Sequence, residues 1–203
     1  TSSFHVTGVQ TCALPIYAQR RATDRVFAIG DLTDGPALAH KATAEAEVAA
    51  ETACGQPAGF DPTSVPMIVF GDPQVLSVGL DRDEAAAAGL AATTGRFPFA
   101  ASGRARTLGD TEGFVEVVAD EAGTVIGVHA VGAHVAELAG EAALAVETAA
   151  TVEDLAGTIH AHPTMGEAIM EAAPGLGGPP VHRARSGGNA RAPTTSRSEQ
   201  RRV

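Results

Sequence analysis

An α+β fold is predicted for this chain, an antiparallel sheet with helices packed on it, preceded by one strand and one helix of α/β character. Three observations carry that expectation. Three β-rich runs, 91–97, 114–119 and 124–131, follow one another, the last two joined by Asp120-Glu121-Ala122-Gly123, a connection of hairpin length. Apolar residues at helical spacing from Val135 to Ala149 then supply a helix long enough to cover a sheet face. Far upstream, Arg25 to Ile29 forms a short β-rich run that ends at Gly30-Asp31 and leads into an Ala/Glu-rich stretch, the order of a strand feeding a helix.

Taken in order, Arg25 to Ile29 reads as a buried strand whose C-terminal end meets a ligand. Pro36 suits the first turn of a helix from Ala37 to Thr52. The start of that helix offers free amides and a positive dipole end to a negatively charged group. Gly55-Gln56-Pro57 and Asp61-Pro62 form a linker, which divides an N-terminal unit, 18–57, from a second, 62–174. Pro66 to Phe70 and Gln74 to Val78 read as strands around Gly71-Asp72-Pro73. Asp81 to Ala88 reads as a helix capped by Asp81 and stopped by Gly89. The helix from Val135 to Ala149 is polar on the side of Glu137, Glu141 and Glu147, and its small residues permit close packing against the sheet. Thr151 to Asp154 has capping-box spacing and opens another short helix.

The two ends depart from this pattern. Residues 1–17, with Cys12-Ala13-Leu14-Pro15-Ile16, resemble the conceptual translation of a sequencing adapter and are read as an assembly artefact; a secretory signal fits poorly, because Pro15 breaks the apolar run and no charged n-region precedes it. Residues 175–203 are Gly, Pro, Ala, Ser and Arg with almost no large apolar residue, and are read as a disordered basic tail. Six arginines against Glu199 make that tail +5, which leaves −15 on the rest of a chain whose total is −10. The acidic body argues against a nucleic-acid surface, and no apolar run is long enough to span a bilayer. Of two cysteines, Cys54 stands alone near a helix end, so neither a disulfide framework nor a metal site is indicated, as expected in a reducing cytoplasm. With both ends set aside, roughly 150 residues remain, and with 4% aromatic residues and no tryptophan their core must be built from Ala, Val, Leu and Ile.

The segment richest in chemistry is His160-Ala161-His162-Pro163-Thr164-Met165-Gly166-Glu167. Pro163 disfavours helical backbone at His162, which therefore sits ahead of the helix that Glu167 opens. Glu167 can reach back to one imidazole nitrogen and leave the other for a substrate proton, a proton-transfer unit. Thr164 and Glu167 also have capping-box spacing, and the two readings are compatible because a carboxylate has two oxygens. His160 is a secondary candidate that could help hold His162. His129, His134 and the His40 side chain lack carboxylate or cysteine partners at useful spacing and are assigned structural roles.

These residues carry a resemblance. His160-Ala161-His162-Pro163-Thr164 with Glu167-Ala168 and Glu171-Ala172-Ala173 closely resembles the C-terminal signature of the dihydrolipoamide dehydrogenases, flavin-dependent pyridine nucleotide-disulfide oxidoreductases. Arg25-Val26-Phe27-Ala28-Ile29-Gly30-Asp31 with Gly35-Pro36-Ala37-Leu38-Ala39-His40-Lys41-Ala42 resembles that family's second flavin motif. Val75-Leu76-Ser77-Val78-Gly79-Leu80, Phe97-Pro98-Phe99 with Gly103-Arg104-Ala105, and Gly113-Phe114-Val115 with Gly127-Val128-His129 fill the interval in the same order.

The resemblance implies that 18–57 is the C-terminal remnant of an FAD-binding domain and 62–174 a dimerisation domain, with His162 and Glu167 as the acid/base pair. It assigns Asp31 to the ribityl chain of FAD, and Ala37, Leu38, Ala39 and His40 to flavin contacts made mainly through backbone. Ala37 stands where the family usually carries a larger apolar residue, which loosens that contact. Implied partners are a second copy of the chain and the lipoyl domain of a 2-oxo acid dehydrogenase complex; the implied cofactors are FAD and NAD. The chain contains no redox-active cysteine pair and no glycine-rich dinucleotide fingerprint, so it is read as the C-terminal part of a longer enzyme, inactive alone. Mercuric and glutathione reductase-like enzymes, or a non-catalytic dimerisation module, are the alternatives.

Overall fold

The computed structural model describes residues 21–23 and 25–173; the readings of 1–17 and 175–203 lie outside the described residues. β1 (Arg21–Thr23) and β2 (Val26–Phe27) form a two-stranded antiparallel ribbon that runs into a 3-10 turn at Gly30–Leu32 and then α1 (Ala39–Ala53). β2 is shorter than the strand expected over 25–29, and Val26 and Ile29 are exposed. A buried parallel strand needs neighbours on both sides, and the described residues pair β2 with β1 alone. α1 begins at Ala39, so Ala37 and Leu38 lie in the extended approach to it.

Beyond the linker, β3 (Met67–Val69), β4 (Gln74–Gly79), β5 (Ala92–Pro98), β6 (Gly113–Asp120) and β7 (Val125–Gly132) form one antiparallel sheet in the order β3-β4-β7-β6-β5. The registers Leu76↔Ala130, Val115↔Ala130, Val117↔Val128 and Phe97↔Val115 put one set of side chains on a single face. All of these are buried. The strict two-residue period therefore dedicates that face to the core.

Helices cover it. α2 (Arg82–Ala87) lies against β5 and carries the complete Asp81/Glu84 capping box, and its chain turns at Gly89. α3 (Gly103–Leu108) is capped by Ser102. The segment expected as one helix over 135–149 is two pieces: a 3-10 turn, Val135–Leu138, then α4 (Ala139–Glu147). The 3-10 turn is entered from His134 in left-handed conformation, and the Ala136 amide donates to Gln74 Oε1 on β4, 3.2 Å away, so a tertiary contact takes an amide at the start of the segment. α5 (Val152–Gly157) has the Thr151/Asp154 capping box, and α6 (Glu167–Ala172) packs on β5 and β6. Leu138, Ala142, Ala145, Val146, Leu155, Ala168, Ile169 and Ala172 meet the sheet's apolar face in one contiguous core. Small residues on α4 and α6 bring helix and strand backbones close, which offsets the scarcity of aromatics.

Candidate active site

His162 lies in the bend that enters α6, followed by a cis Pro163. Its Nδ1 stands 2.8 Å from Glu167 Oε1. The other oxygen of the same carboxylate accepts the Thr164 amide at 2.8 Å. One glutamate thus both closes the helix entry and steers the imidazole. The capping box is half formed: Thr164 Oγ1 donates to the Ala161 carbonyl at 2.7 Å, and Gly166 occupies the N-cap position.

Exposure divides the pair asymmetrically. The His162 side chain is 63% exposed and that of Glu167 12%. The carboxylate is held by the fold while the ring reaches outward. A carboxylate only accepts, so Nδ1 carries the proton in the neutral ring and the lone pair resides on Nε2.

The surroundings of the ring were not all foreseen. Gly103 opens α3 beneath it: a side chain there would start 3.7 Å from His162 Cε1 and 3.9 Å from Pro163 Cβ. Phe97, Ser102 and Glu171 complete a niche of about 10 Å³ with Gly103, His162 and Glu167, scarcely room for one water. The Phe97 and Gly103 stretches are legible as motifs, but their convergence on His162 depends on the β5–α3 corner meeting α6.

His160 points elsewhere. Its Nε2 is 2.6 Å from Glu141 Oε1 on α4, and its Nδ1 donates to the Thr158 carbonyl at 3.1 Å. It anchors the segment leading to His162 to the domain's longest α-helix. His129, between Ser77 Oγ (3.0 Å) and the Leu80 carbonyl (3.2 Å), bridges β7 and β4.

The other group of predicted residues gathers along the Gly30 turn and the start of α1. Asp31 is exposed in the 3-10 turn. Ala37, Leu38, Ala39 and His40 follow in sequence, and no side chain caps α1, so its first amides are left to other partners. The His40 ring donates from Nε2 to the Pro66 carbonyl at 2.7 Å, tying α1 to the chain entering β3. Behind this turn lies a buried cluster that sequence reading missed: Thr33, Lys41 and Glu45 are 8%, 3% and 0% exposed. The only sequence cue is a Lys/Glu pair four residues apart, a spacing more usual on solvated helix faces. Among the described residues, no group of three or more His, Cys, Asp or Glu side chains is placed to hold a metal, and no helix is long and apolar enough to cross a membrane.

Comparison with known proteins decides the family. Residues 65–173, more than half of the chain, match the dimerisation domain of pyridine nucleotide-disulphide oxidoreductases. The chain belongs to that family. It is 54% identical over 164 residues to dihydrolipoyl dehydrogenase of Halobacterium salinarum, covering 80% of this chain and 35% of the relative. Against the dihydrolipoyl dehydrogenase of Geobacillus stearothermophilus the identity is 46% over the same shares of each chain. Among solved structures, LpdA of Mycobacterium tuberculosis superposes with a TM-score of 0.67 at 31% identity, over 72% of this chain and 32% of that one. The chain thus spans about a third of the length of the curated relatives it matches. Its five-stranded antiparallel sheet and packed helices are the dimerisation-domain architecture of this oxidoreductase family.

Proposed function

We propose that this chain is the C-terminal part of an FAD-dependent dihydrolipoyl dehydrogenase, in which His162 is the acid/base group and Glu167 its orienting partner. The observation that carries the reading is the 2.8 Å contact between His162 Nδ1 and a mostly buried Glu167. In the overall reaction, a dihydrolipoyl dithiol gives up two electrons and two protons as its disulfide forms; NAD takes up both electrons and one proton as a hydride, and the second proton passes to solvent. A thiolate, not a thiol, is the competent nucleophile in thiol–disulfide exchange. Nε2 of His162 accepts the sulfhydryl proton, and Glu167 stabilises the imidazolium so formed.

FAD supplies the two-electron relay in this chemistry. The residues present fit it: Asp31 is exposed on the 3-10 turn upstream of α1, whose start no side chain caps, and Ala37 and Leu38 lead with extended backbone into its first residues, Ala39 and His40. The redox cysteine pair and the nicotinamide site are assigned to sequence outside this chain, which holds only two cysteines. The proposal extends to a homodimer formed through 62–174, with His162 of one subunit serving the flavin and disulfide of the other. Residues 18–57 form the edge of the flavin-binding domain. The lipoyl domain of a 2-oxo acid dehydrogenase complex is the protein substrate, in the cytoplasm.

The deciding experiment is His162→Gln in a full-length chain carrying this segment, with dithiol oxidation followed by rapid mixing. The expected outcome is a loss of about 10²- to 10⁴-fold in rate with FAD content unchanged. Turnover at the native rate would remove His162 as the base, and a full-length protein without dithiol oxidation of any kind would favour a non-catalytic dimerisation module.

A further inference from the structure

Lys41 and Glu45 lie one turn apart on α1, and both are withdrawn from solvent. Taking opposite charges out of water is costly, and a pair of apolar residues often serves stability as well or better. What this pair holds is specific. Lys41 Nζ is 3.0 Å from Glu45 Oε1, and it donates to the Gly30 carbonyl at 3.1 Å and to Thr33 Oγ1 at 2.6 Å. Glu45 Oε2 in turn accepts the Gly30 amide at 2.5 Å. Thr33 Oγ1, within 2.8 Å of the Gly30 carbonyl and 2.9 Å of Glu45 Oε1, closes the ring.

The Gly30 amide belongs to the peptide before that residue and its carbonyl to the peptide after it. Both peptide planes flanking Gly30 are therefore gripped by charged groups of α1. Gly30 has φ +68°, and a Cβ there would stand 3.2 Å from Ala42 Cβ, so the chain passes close to the helix at a residue with little conformational preference of its own. The next residue is Asp31. We infer that the buried Lys41–Glu45 pair is a positioning device that locks the turn at Gly30 and so fixes the direction in which Asp31 meets the cofactor. The inference rests on the flavin reading of Asp31 above.

The test uses a full-length chain carrying this segment, stripped of flavin. FAD affinity is titrated by flavin fluorescence, and the melting temperature of the stripped protein is recorded in parallel. Asp31→Ala should weaken FAD binding by about tenfold or more, the worth of one hydrogen bond to a charged group. The double variant Lys41→Met/Glu45→Leu removes both charges without stranding either; it should melt only modestly below the native protein, because the Gly30 amide loses its acceptor, yet also bind FAD about tenfold more weakly. Adding Asp31→Ala to it should cost little more, because the pair acts through that aspartate. Native FAD affinity in the double variant, with Asp31→Ala still impaired, would overturn the positioning role and leave the flavin reading intact. An Asp31→Ala protein that binds FAD normally would instead overturn the flavin reading and the clamp with it. Should the double variant fail to fold, Glu45→Gln decides: the amide oxygen accepts from Gly30 less strongly than a carboxylate, so FAD should bind about threefold more weakly, and unchanged affinity would overturn the clamp.

Discussion

Residues 25–54 and residues 65–173 are held in shape by opposite means. The first region buries Lys41, Glu45 and Thr33 while leaving Val26, Ile29 and Leu32 exposed. The second buries an apolar core spread over all its helices except α2, and keeps most of its polar groups at caps and rims. A region that hides charges and displays aliphatic side chains takes its local geometry from directional bonds. One that hides aliphatics takes its geometry from packing. The two kinds of part suit the two proposed tasks: the charged cluster aims a cofactor contact, and the apolar domain supports a base and a subunit interface.

The largest expected contrast tests that division directly. Phe97 is buried in the sheet core, and Phe97→Ala should cost about 3–5 kcal/mol in denaturant unfolding. Val26→Ala, at a half-exposed site, should stay within about 0.5 kcal/mol. Equal costs would erase the distinction between the regions. Next comes Lys41→Met alone, which strands Glu45 without its cation and should destabilise by about 3–5 kcal/mol, whereas the Lys41→Met/Glu45→Leu pair should lose only about 1–3 kcal/mol, the cost of the Gly30 amide left without its acceptor; a double variant as weak as the single would show that packing, not charge, governs that site.

At the site itself, Glu167→Gln should lower dithiol oxidation by about tenfold, less than His162→Gln, because the amide still offers an acceptor to Nδ1 but does not balance the imidazolium charge. A loss equal to that of His162→Gln would mean that the carboxylate takes a proton itself. The smallest effect concerns α5. Asp154 is held below its ordinary value of 3.8, first by the Thr151 backbone amide and then by the Thr151 hydroxyl. A depressed carboxylate contributes stability that is complete above its unfolded value and is lost as pH falls through the folded one. Thermal melts of Asp154→Asn and the native chain should therefore differ at neutral pH and converge on acidification below about pH 3.8; a constant difference would show that the cap does not depend on the charge.

Much of this molecule was legible in its sequence because it is local. Asp81/Glu84 and Thr151/Asp154 announce caps by spacing, and Gly89 ends α2 where a left-handed residue is required. The β6–β7 hairpin follows from two alternating runs and a short polar loop. His162 and Glu167 lie five residues apart, close enough for a single helix entry to bring them together. The errors have tertiary causes. Apolar spacing over 135–149 is continuous, but docking of the Ala136 amide on Gln74 makes its first turn 3-10. The β-rich composition of 25–29 predicts a buried strand, but composition cannot say how many neighbours β2 has.

By itself, then, the sequence determined the antiparallel sheet with its packed helices, the caps of α2 and α5, and the identity of the imidazole and carboxylate that form the candidate site, since these follow from backbone periodicity and short-range bonding. Only the tertiary structure decided that His160 turns to Glu141, that Gly103 and Phe97 close under His162, and that Lys41 and Glu45 grip the peptides around Gly30. Those contacts join residues 11 to 65 positions apart, and their partners are selected by how sheet and helices pack, a choice that no local pattern encodes.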